Sequence, residues 1–144
     1  MYAGLRTLPM PDEPVVRLWH AANMLREHRG DGHIAALVSE RIGGTEAHVL
    51  SALASGIYPA ESFGRIHHLP KARLAEVMQG LRHRGLLDAS GRFTDAGRKT
   101  KGRIESLTDA LAAAPYDELE QGELDDLIGS LEPISARLAA TGSE

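Results

Sequence analysis

The most informative absence in this chain of 144 residues is cysteine, which does not occur at all. Without thiols there is no disulfide scaffold, no cysteine nucleophile and no cysteine-ligated zinc or iron–sulfur site. Aromatic residues make up only 4% of the sequence, so alanine and aliphatic side chains must fill the interior. Such a composition favours helix-on-helix packing over a sandwich of sheets. We therefore predict a mostly α-helical fold.

Long apolar runs and a targeting segment are also missing. No stretch approaches the roughly 18 apolar residues that a membrane-spanning helix needs. The chain does not open on a basic segment followed by an apolar one, as a secretory leader does. We therefore expect a cytoplasmic protein with no membrane partner. The hydrophobic content of 42% is sufficient for a core.

The net charge of −4 is distributed unevenly along the chain. Residues 1–60 are nearly balanced at −1, whereas residues 61–104 hold ten basic and four acidic residues, a net +6. Residues 105–144 hold one basic and ten acidic residues, a net −9. A basic middle segment indicates a surface for a polyanion. A solvated surface with segregated charge accounts for the same pattern, so charge alone leaves both interpretations open.

Turn and capping residues divide the first part of the chain. Residues 1–13 contain two prolines and little periodicity, which predicts an extended arm or linker, and residues 14–144 then form a single domain. A helix is expected from Pro14 to about Arg29, with Trp19 in its buried stripe. The Gly-Asp-Gly at residues 30–32 is predicted to end that helix, with Asp31 capping the next one. A third helix is expected over residues 45–56.

The middle of the chain is predicted to be a helix-turn-helix followed by a wing, spanning residues 60–97. A short helix over residues 60–66 precedes a helix over residues 70–84, whose inner positions at helical spacing are Leu74, Val77, Met78 and Leu81. The turn-forming residues 88–91 then lie between two short apolar segments, which predicts a minimal two-stranded hairpin. Thr94 and Asp95 offer a cap for the following helix. This order is that of a winged helix.

The stretch LRHRGLLDASGRFTDAGRK resembles the DNA-binding core of MarR-like transcriptional regulators. The residues that carry the resemblance are Leu81, Arg84, Gly85, Leu86, Phe93, Thr94, Ala96, Gly97 and Arg98. The segment LWHAANMLREHRGDGHIAAL is similar to a group of actinobacterial MarR-like proteins without an assigned function. Members of that group are roughly twice as long, so the chain is expected to correspond to their C-terminal half.

The resemblance implies a regulator that binds double-stranded DNA. Helix 70–84 would enter the major groove and Arg92, at the wing tip, the minor groove. Further contacts to phosphate would give affinity and salt dependence without sequence information. The residues expected to contact DNA are Arg65, Lys71, Arg73, Gln79, Arg92, Arg98, Lys99 and Lys101, with Arg103 as a further phosphate contact.

The recognition helix also departs from the family pattern. Where relatives place small hydroxylated residues and a second basic residue, this chain has Pro70, Ala72, Ala75 and Glu76. Alanine offers no hydrogen-bond donor, and Glu76 repels phosphate unless it accepts a hydrogen bond from a cytosine amine. The alternative is therefore a winged helix that has lost DNA binding and serves protein interaction or small-ligand sensing. For Arg84 and Arg98, a structural role at helix ends is an equal alternative.

A second group of polar residues lies around the first helix. Trp19, His20, His28 and His33 form a candidate small-ligand site, and His20 and His28 fall eight residues apart, near one helix face. None of these residues makes the i, i+4 pair of a zinc-binding H-E-x-x-H motif. We expect no metal, no cofactor and no enzymatic activity, although a small-molecule effector remains open.

Two helices, over residues 95–114 and 118–140, are predicted to close the chain, with Pro133 kinking or dividing the second. One face of the last helix is apolar and the other is rich in Glu and Asp. MarR-like regulators pair through their terminal helices, so the resemblance implies a homodimer. Alternatively, the apolar face covers the core of its own domain.

Overall fold

The computed structural model describes residues 1–58 and 69–141. Helices account for most of this part of the chain. They are α1 (Tyr2–Leu5), α2 (Pro14–Ser39), α3 (Gly44–Ala54), α4 (Lys71–His83), α5 (Asp95–Ala112), α6 (Ala114–Asp117) and α7 (Gln121–Thr141). The chain divides into two compact units, the first spanning Met1–Leu111 and the second beginning at Ala112. The predicted short helix over residues 60–66 lies outside the described residues.

The first long helix, α2, starts where the sequence predicts but does not stop there. Pro14 occupies its first turn and the Glu13 carboxylate accepts a hydrogen bond from the Val16 amide at 2.7 Å. The helix then runs 26 residues to Ser39, so the predicted break at residues 30–32 is wrong. Glycine inside a helix costs only about 1 kcal/mol, and tertiary contacts outweigh that cost here.

Those contacts involve the residues that had indicated a break. A Cβ at Gly32 would lie 3.1 Å from the Cβ of Leu111, so glycine lets α5 approach the backbone of α2 closely. The Asp31 carboxylate does not start a new helix. It accepts hydrogen bonds from the Met1 amino group and the Tyr2 amide, each at 3.2 Å. It thereby joins α1, which forms inside the predicted extended arm, to α2.

The buried side of α2 also differs from the prediction. Trp19, expected in the buried stripe, is 67% exposed, whereas its neighbour His20 and Ala36 are buried. Several apolar side chains of the same helix are exposed as well, namely Val15, Val16, Leu18, Ile34 and Val38. The apolar periodicity of α2 therefore does not identify the side of the helix that faces the core of this unit.

The core of the first unit lies between α3, α4 and α5. Val49 and Leu50 of α3 are fully buried. The predicted inner face of α4 is confirmed, since Leu74, Met78 and Leu81 are buried and Val77 packs against them. Helix α5 contributes Ile104, which is 1% exposed, and the fully buried Thr108.

The predicted two-stranded wing is reduced to one antiparallel bridge between Leu87 and Phe93, within the described part of the chain. The Asp88 amide donates to the Arg92 carbonyl oxygen at 2.8 Å, which closes the turn. On one side of the bridge the chain has just left α4, and on the other Thr94 caps α5 by accepting from the Gly97 amide at 3.0 Å.

In the second unit, α6 occupies Ala114–Asp117 and α7 runs from Gln121 to Thr141. Pro133 lies inside α7 and does not divide it. The helix exposes Leu127, Ile128, Leu131, Ile134 and Leu138. Among the described residues, no helix combines the length and the apolar character needed to cross a membrane.

Candidate nucleic-acid interface

Helix α4 presents a mixed polar surface opposite its buried face. Lys71, Arg73 and Gln79 are all exposed, as a DNA-reading helix requires. Ala72 and Ala75 are exposed on the same helix and offer only methyl groups. The three positions of α4 predicted to contact DNA are therefore available, interspersed with side chains that cannot donate a hydrogen bond.

Glu76 modifies the basic character of this helix. Its carboxylate accepts a hydrogen bond from Arg73 Nη1 at 3.0 Å, and both side chains are about two-thirds exposed. An exposed pair of this kind contributes little to stability. The pair does hold the Arg73 guanidinium beside a negative charge, which any phosphate or base would have to displace.

The wing turn is held by the carboxylate of Asp88. It accepts from the Ser90 hydroxyl at 2.6 Å and from the Arg92 amide at 3.0 Å. These two donors hold the pKa of Asp88 below its usual value. Gly91 adopts a φ of 80°, and a Cβ there would meet the end of the Met78 side chain at 3.2 Å. The tip of the wing therefore lies against α4.

Arg92 projects from this turn over the ring of Tyr58, with 4.8 Å between its guanidinium carbon and the ring centroid. The Tyr58 hydroxyl donates a hydrogen bond to the carbonyl oxygen of Ser90. One tyrosine thus positions both the backbone and the cation of the wing. No local pattern in the sequence indicates this contact, because 34 positions separate Tyr58 from Arg92.

The start of α5 adds two further cations next to the wing. Arg98 donates to the Phe93 carbonyl oxygen at 3.0 Å and to Asp95 at 2.7 Å, and it remains 62% exposed. Lys99 is exposed and makes no ion pair within the residues that the structure describes. Arg65, the remaining predicted contact of this region, lies outside those residues.

Lys101 and Arg103 are engaged elsewhere. The Lys101 side chain is only 19% exposed and pairs with Glu105. Arg103 makes two hydrogen bonds of 2.7 Å to the carboxylate of Glu40. That pairing lowers the pKa of Glu40 and raises that of Arg103. Both cations have partners inside the first unit, so they offer less to a phosphate than Lys99 does.

Arg84 has a structural role in the free protein. Its guanidinium donates to the Glu46 carboxylate at 3.1 Å and to the Glu40 carbonyl oxygen at 3.1 Å. It therefore ties the end of α4 to the start of α3 and the end of α2. This geometry favours the helix-end interpretation of Arg84 over a DNA contact.

Arg82 is a candidate contact that the sequence analysis did not include. It is exposed on α4, and its Nε donates to the Asp88 carbonyl oxygen at 3.3 Å. A Cβ at Gly91 would lie 3.4 Å from its Nη2 atom, so Arg82 borders the wing tip. Arg82 follows Gln79 by three residues, which places both on one face of the helix, and this spacing could have identified Arg82 from the sequence.

The candidate ligand residues of α2 do not form one site. Trp19 and His20 border a cleft of about 280 Å³, whereas the His28 ring packs edge-on against Tyr2 at 4.9 Å. His33 lies 13 residues beyond His20, about 20 Å along the helix, and lines a separate cavity. Within the described residues, no three His, Cys, Asp or Glu side chains are placed to hold a metal ion.

A basic helix packed against a tight hairpin, followed by a helix that starts with exposed cations, is typical of helix-turn-helix DNA-binding proteins. The whole chain, residues 1–144, matches the sequence model of a helix-turn-helix family, and the protein belongs to that family. Membership in it suggests a DNA-binding regulator in general terms. No curated protein and no solved structure matches the chain.

Proposed function

We propose that the protein is a DNA-binding transcriptional regulator of MarR-like type, acting in the cytoplasm as a binding protein and not as an enzyme. In this proposal α4 enters the major groove and Arg92 reaches the minor groove. The observation that carries it is the continuous run of exposed cations from α4 across the wing to the start of α5. These cations are Lys71, Arg73, Arg82, Arg92, Arg98 and Lys99.

The residues of this surface differ in what they contribute. Lys71, Arg98 and Lys99 suit phosphate, which accounts for affinity and a steep dependence on salt. Arg73 and Gln79 suit base edges, because arginine pairs with guanine and glutamine with adenine. Arg92 suits a narrow minor groove, and its guanidinium lies over the ring of Tyr58 in the free protein.

We predict that the protein binds random duplex DNA at low salt and that Arg92→Ala weakens this binding about fivefold to tenfold. Fluorescence anisotropy of labelled random and genomic duplexes, at low and physiological salt, measures the effect. Arg26→Ala is the matched control, because Arg26 is an exposed arginine of α2 paired with Glu27 and lies outside the basic segment. Absence of binding at low salt, with the protein folded, would contradict the proposal.

A second candidate function is a winged-helix module for protein interaction or small-ligand sensing. The Arg73–Glu76 pair favours it, because an acidic side chain in the middle of the reading face opposes phosphate. The two functions separate in the same anisotropy experiment. Glu76→Gln should strengthen binding to DNA if α4 contacts it, and should change nothing if that face serves another partner.

We further propose a homodimer that uses the apolar stripe of α7, formed by Leu127, Leu131, Ile134 and Leu138. These positions recur at helical spacing and are all more than one-third exposed. A two-fold dimer would present two copies of α4 to a palindromic site.

The dimer is tested by analytical ultracentrifugation across a range of concentrations. We expect a dimer for the natural sequence, and a monomer for Leu131→Glu because a buried carboxylate in an apolar contact is costly. Ala136→Glu is the control, since Ala136 is exposed and its register places it on the opposite face of α7 from the apolar stripe. A monomer at all concentrations for the natural sequence would overturn this part of the proposal.

A further inference from the structure

The buried residues of α4 define which of its side chains point away from the core. Leu74, Met78 and Leu81 face the core of the first unit. At about 3.6 residues per turn, the opposite direction belongs to a row of four exposed positions. In order along the helix they are Ala72, Glu76, Gln79 and His83. Glu76 therefore lies in the middle of the outward face and not at its edge.

The cations of α4 lie to either side of this row. The same register places Arg73 on one flank and Lys71 and Arg82 on the other, and all three are exposed. A helix that lies in the major groove has a phosphate backbone along each side and base edges in front of it. Glu76 therefore meets base edges, where an acceptor can be satisfied, and is kept away from the phosphates, which repel it.

The guanidinium of Arg73 is held beside the Glu76 carboxylate. Nη1 donates to Oε2 at 3.0 Å, and both side chains are about two-thirds exposed. This bond uses one of the five hydrogens of the guanidinium and one of the roughly four acceptor positions of the carboxylate. The pair can therefore present further donors next to further acceptors on the outward side of α4.

This arrangement matches the major-groove edge of a G·C base pair. Guanine presents two acceptors there, N7 and O6, and cytosine presents one donor, the N4 amine. O6 and N4 are neighbours, because they are hydrogen-bonded to each other within the base pair. An A·T base pair fits less well, since thymine offers the arginine a single acceptor beside a methyl group. Donors next to an acceptor on the protein thus face acceptors next to a donor on the DNA.

We propose that Arg73 and Glu76 together read one G·C base pair, with Arg73 donating to N7 and O6 of guanine and Glu76 accepting from N4 of cytosine. The inference rests on the proposed function, because it needs α4 to lie in the major groove. Glu76 is then a specificity-determining residue. Its charge weakens binding to DNA of any sequence, and a matching cytosine satisfies it, so the contrast between one site and all others increases.

Selection from a library of random duplexes, followed by sequencing, tests this inference with the full chain at physiological salt. We expect the natural sequence to select sites with a C·G base pair at one position. Glu76→Gln should lose the preference for cytosine over adenine there and keep the preferences elsewhere, because glutamine pairs best with adenine. In a selected site, replacing that base pair by A·T should raise the Kd of the natural protein about tenfold, and that of Glu76→Gln less than about twofold.

Asp95→Asn is the matched control. Asp95 pairs with Arg98 at the same spacing of three residues, both side chains are exposed, and the pair lies at the start of α5 instead of on α4. Removing this charge should strengthen binding to all duplexes alike and change no base preference.

An equal effect of the two variants on every duplex would overturn the inference, as would selected sites in which no G·C base pair depends on residue 76. A protein that binds no duplex even at low salt is a different result. It overturns the proposed function itself, and this inference with it.

Discussion

Gly97→Ala is expected to destabilise the protein by about 3 kcal/mol, although alanine is the better helix former. A Cβ at this position would lie 2.9 Å from Cδ1 of Phe93 and even closer to the carbonyl oxygen of Leu86. The nearer neighbour is backbone; Leu86 directly precedes the bridge of the wing, and Phe93 is one of its two residues. The methyl group can therefore be accommodated only by moving the wing away from α5.

Urea unfolding followed by circular dichroism measures this effect, and Gly102→Ala serves as the matched control. Gly102 lies in the same helix, and a Cβ there would meet nothing within 4 Å. We expect Gly102→Ala to raise the free energy of unfolding by about 0.5–1 kcal/mol, through helix propensity alone. Similar midpoints for the two variants would show that Gly97 does not hold the wing against α5.

The second large effect is expected for Leu81→Ala, at about 3–4 kcal/mol of lost stability. Leu81 is fully buried at the end of α4, and its carbonyl oxygen accepts from the Leu86 amide at 2.9 Å. Removing three carbons there leaves a cavity among α3, α4 and the start of the wing, and the backbone hydrogen bonds prevent collapse around it.

Thermal or urea unfolding checks this prediction, with Leu8→Ala as control. Leu8 is 54% exposed, so its truncation should change the free energy of unfolding by less than about 0.5 kcal/mol. A loss below about 1 kcal/mol for Leu81→Ala would mean that the site repacks, and that the core described above is less rigid than its burial indicates.

Helix α4 and the start of α5 were predictable because their local signals agree with the tertiary structure. Helix α4 has apolar residues at strict helical spacing, and Gly85 follows it with a φ of 70° that favours glycine. Thr94 has a capping side chain at the start of α5. Each of these residues is used as its type predicts, so periodicity and capping rules were sufficient.

Helix α2 was harder to predict because the roles of its glycine and aspartate residues depend on contacts with residues far away in the sequence. The Gly-Asp-Gly segment has the composition of a helix end, yet Gly32 is needed for the approach of Leu111 and Asp31 binds the Met1 amino group. The apolar residues around Trp19 recur at helical spacing, but periodicity does not reveal whether such residues face the protein's own core or another surface.

In the candidate sites, too, some side-chain positions followed from local sequence signals and others depended on contacts that only the fold creates. Exposure of Lys71, Arg73 and Gln79 followed from their register against the buried residues of α4. The burial of Lys101 could not be predicted in this way. A basic residue near a DNA-binding segment has the same sequence signal whether it faces solvent or a cavity. The partners of His33 and Lys101 come from residues 75 and four positions away, and only the folded chain shows that they share one cavity.

Glu40 connects three helices through its side chain and through its backbone carbonyl, and this affects which substitutions related proteins can carry. Its side chain holds Arg103 of α5, while its carbonyl oxygen accepts from Arg84 at the end of α4. A substitution at position 40 can remove the first attachment but leaves the backbone acceptor of the second in place. The attachment of α4 to the end of α2 should therefore survive a substitution of residue 40, whereas the attachment of α5 should not. Among homologous proteins, residues 40 and 103 should therefore covary, whereas residue 84 can remain arginine when residue 40 changes.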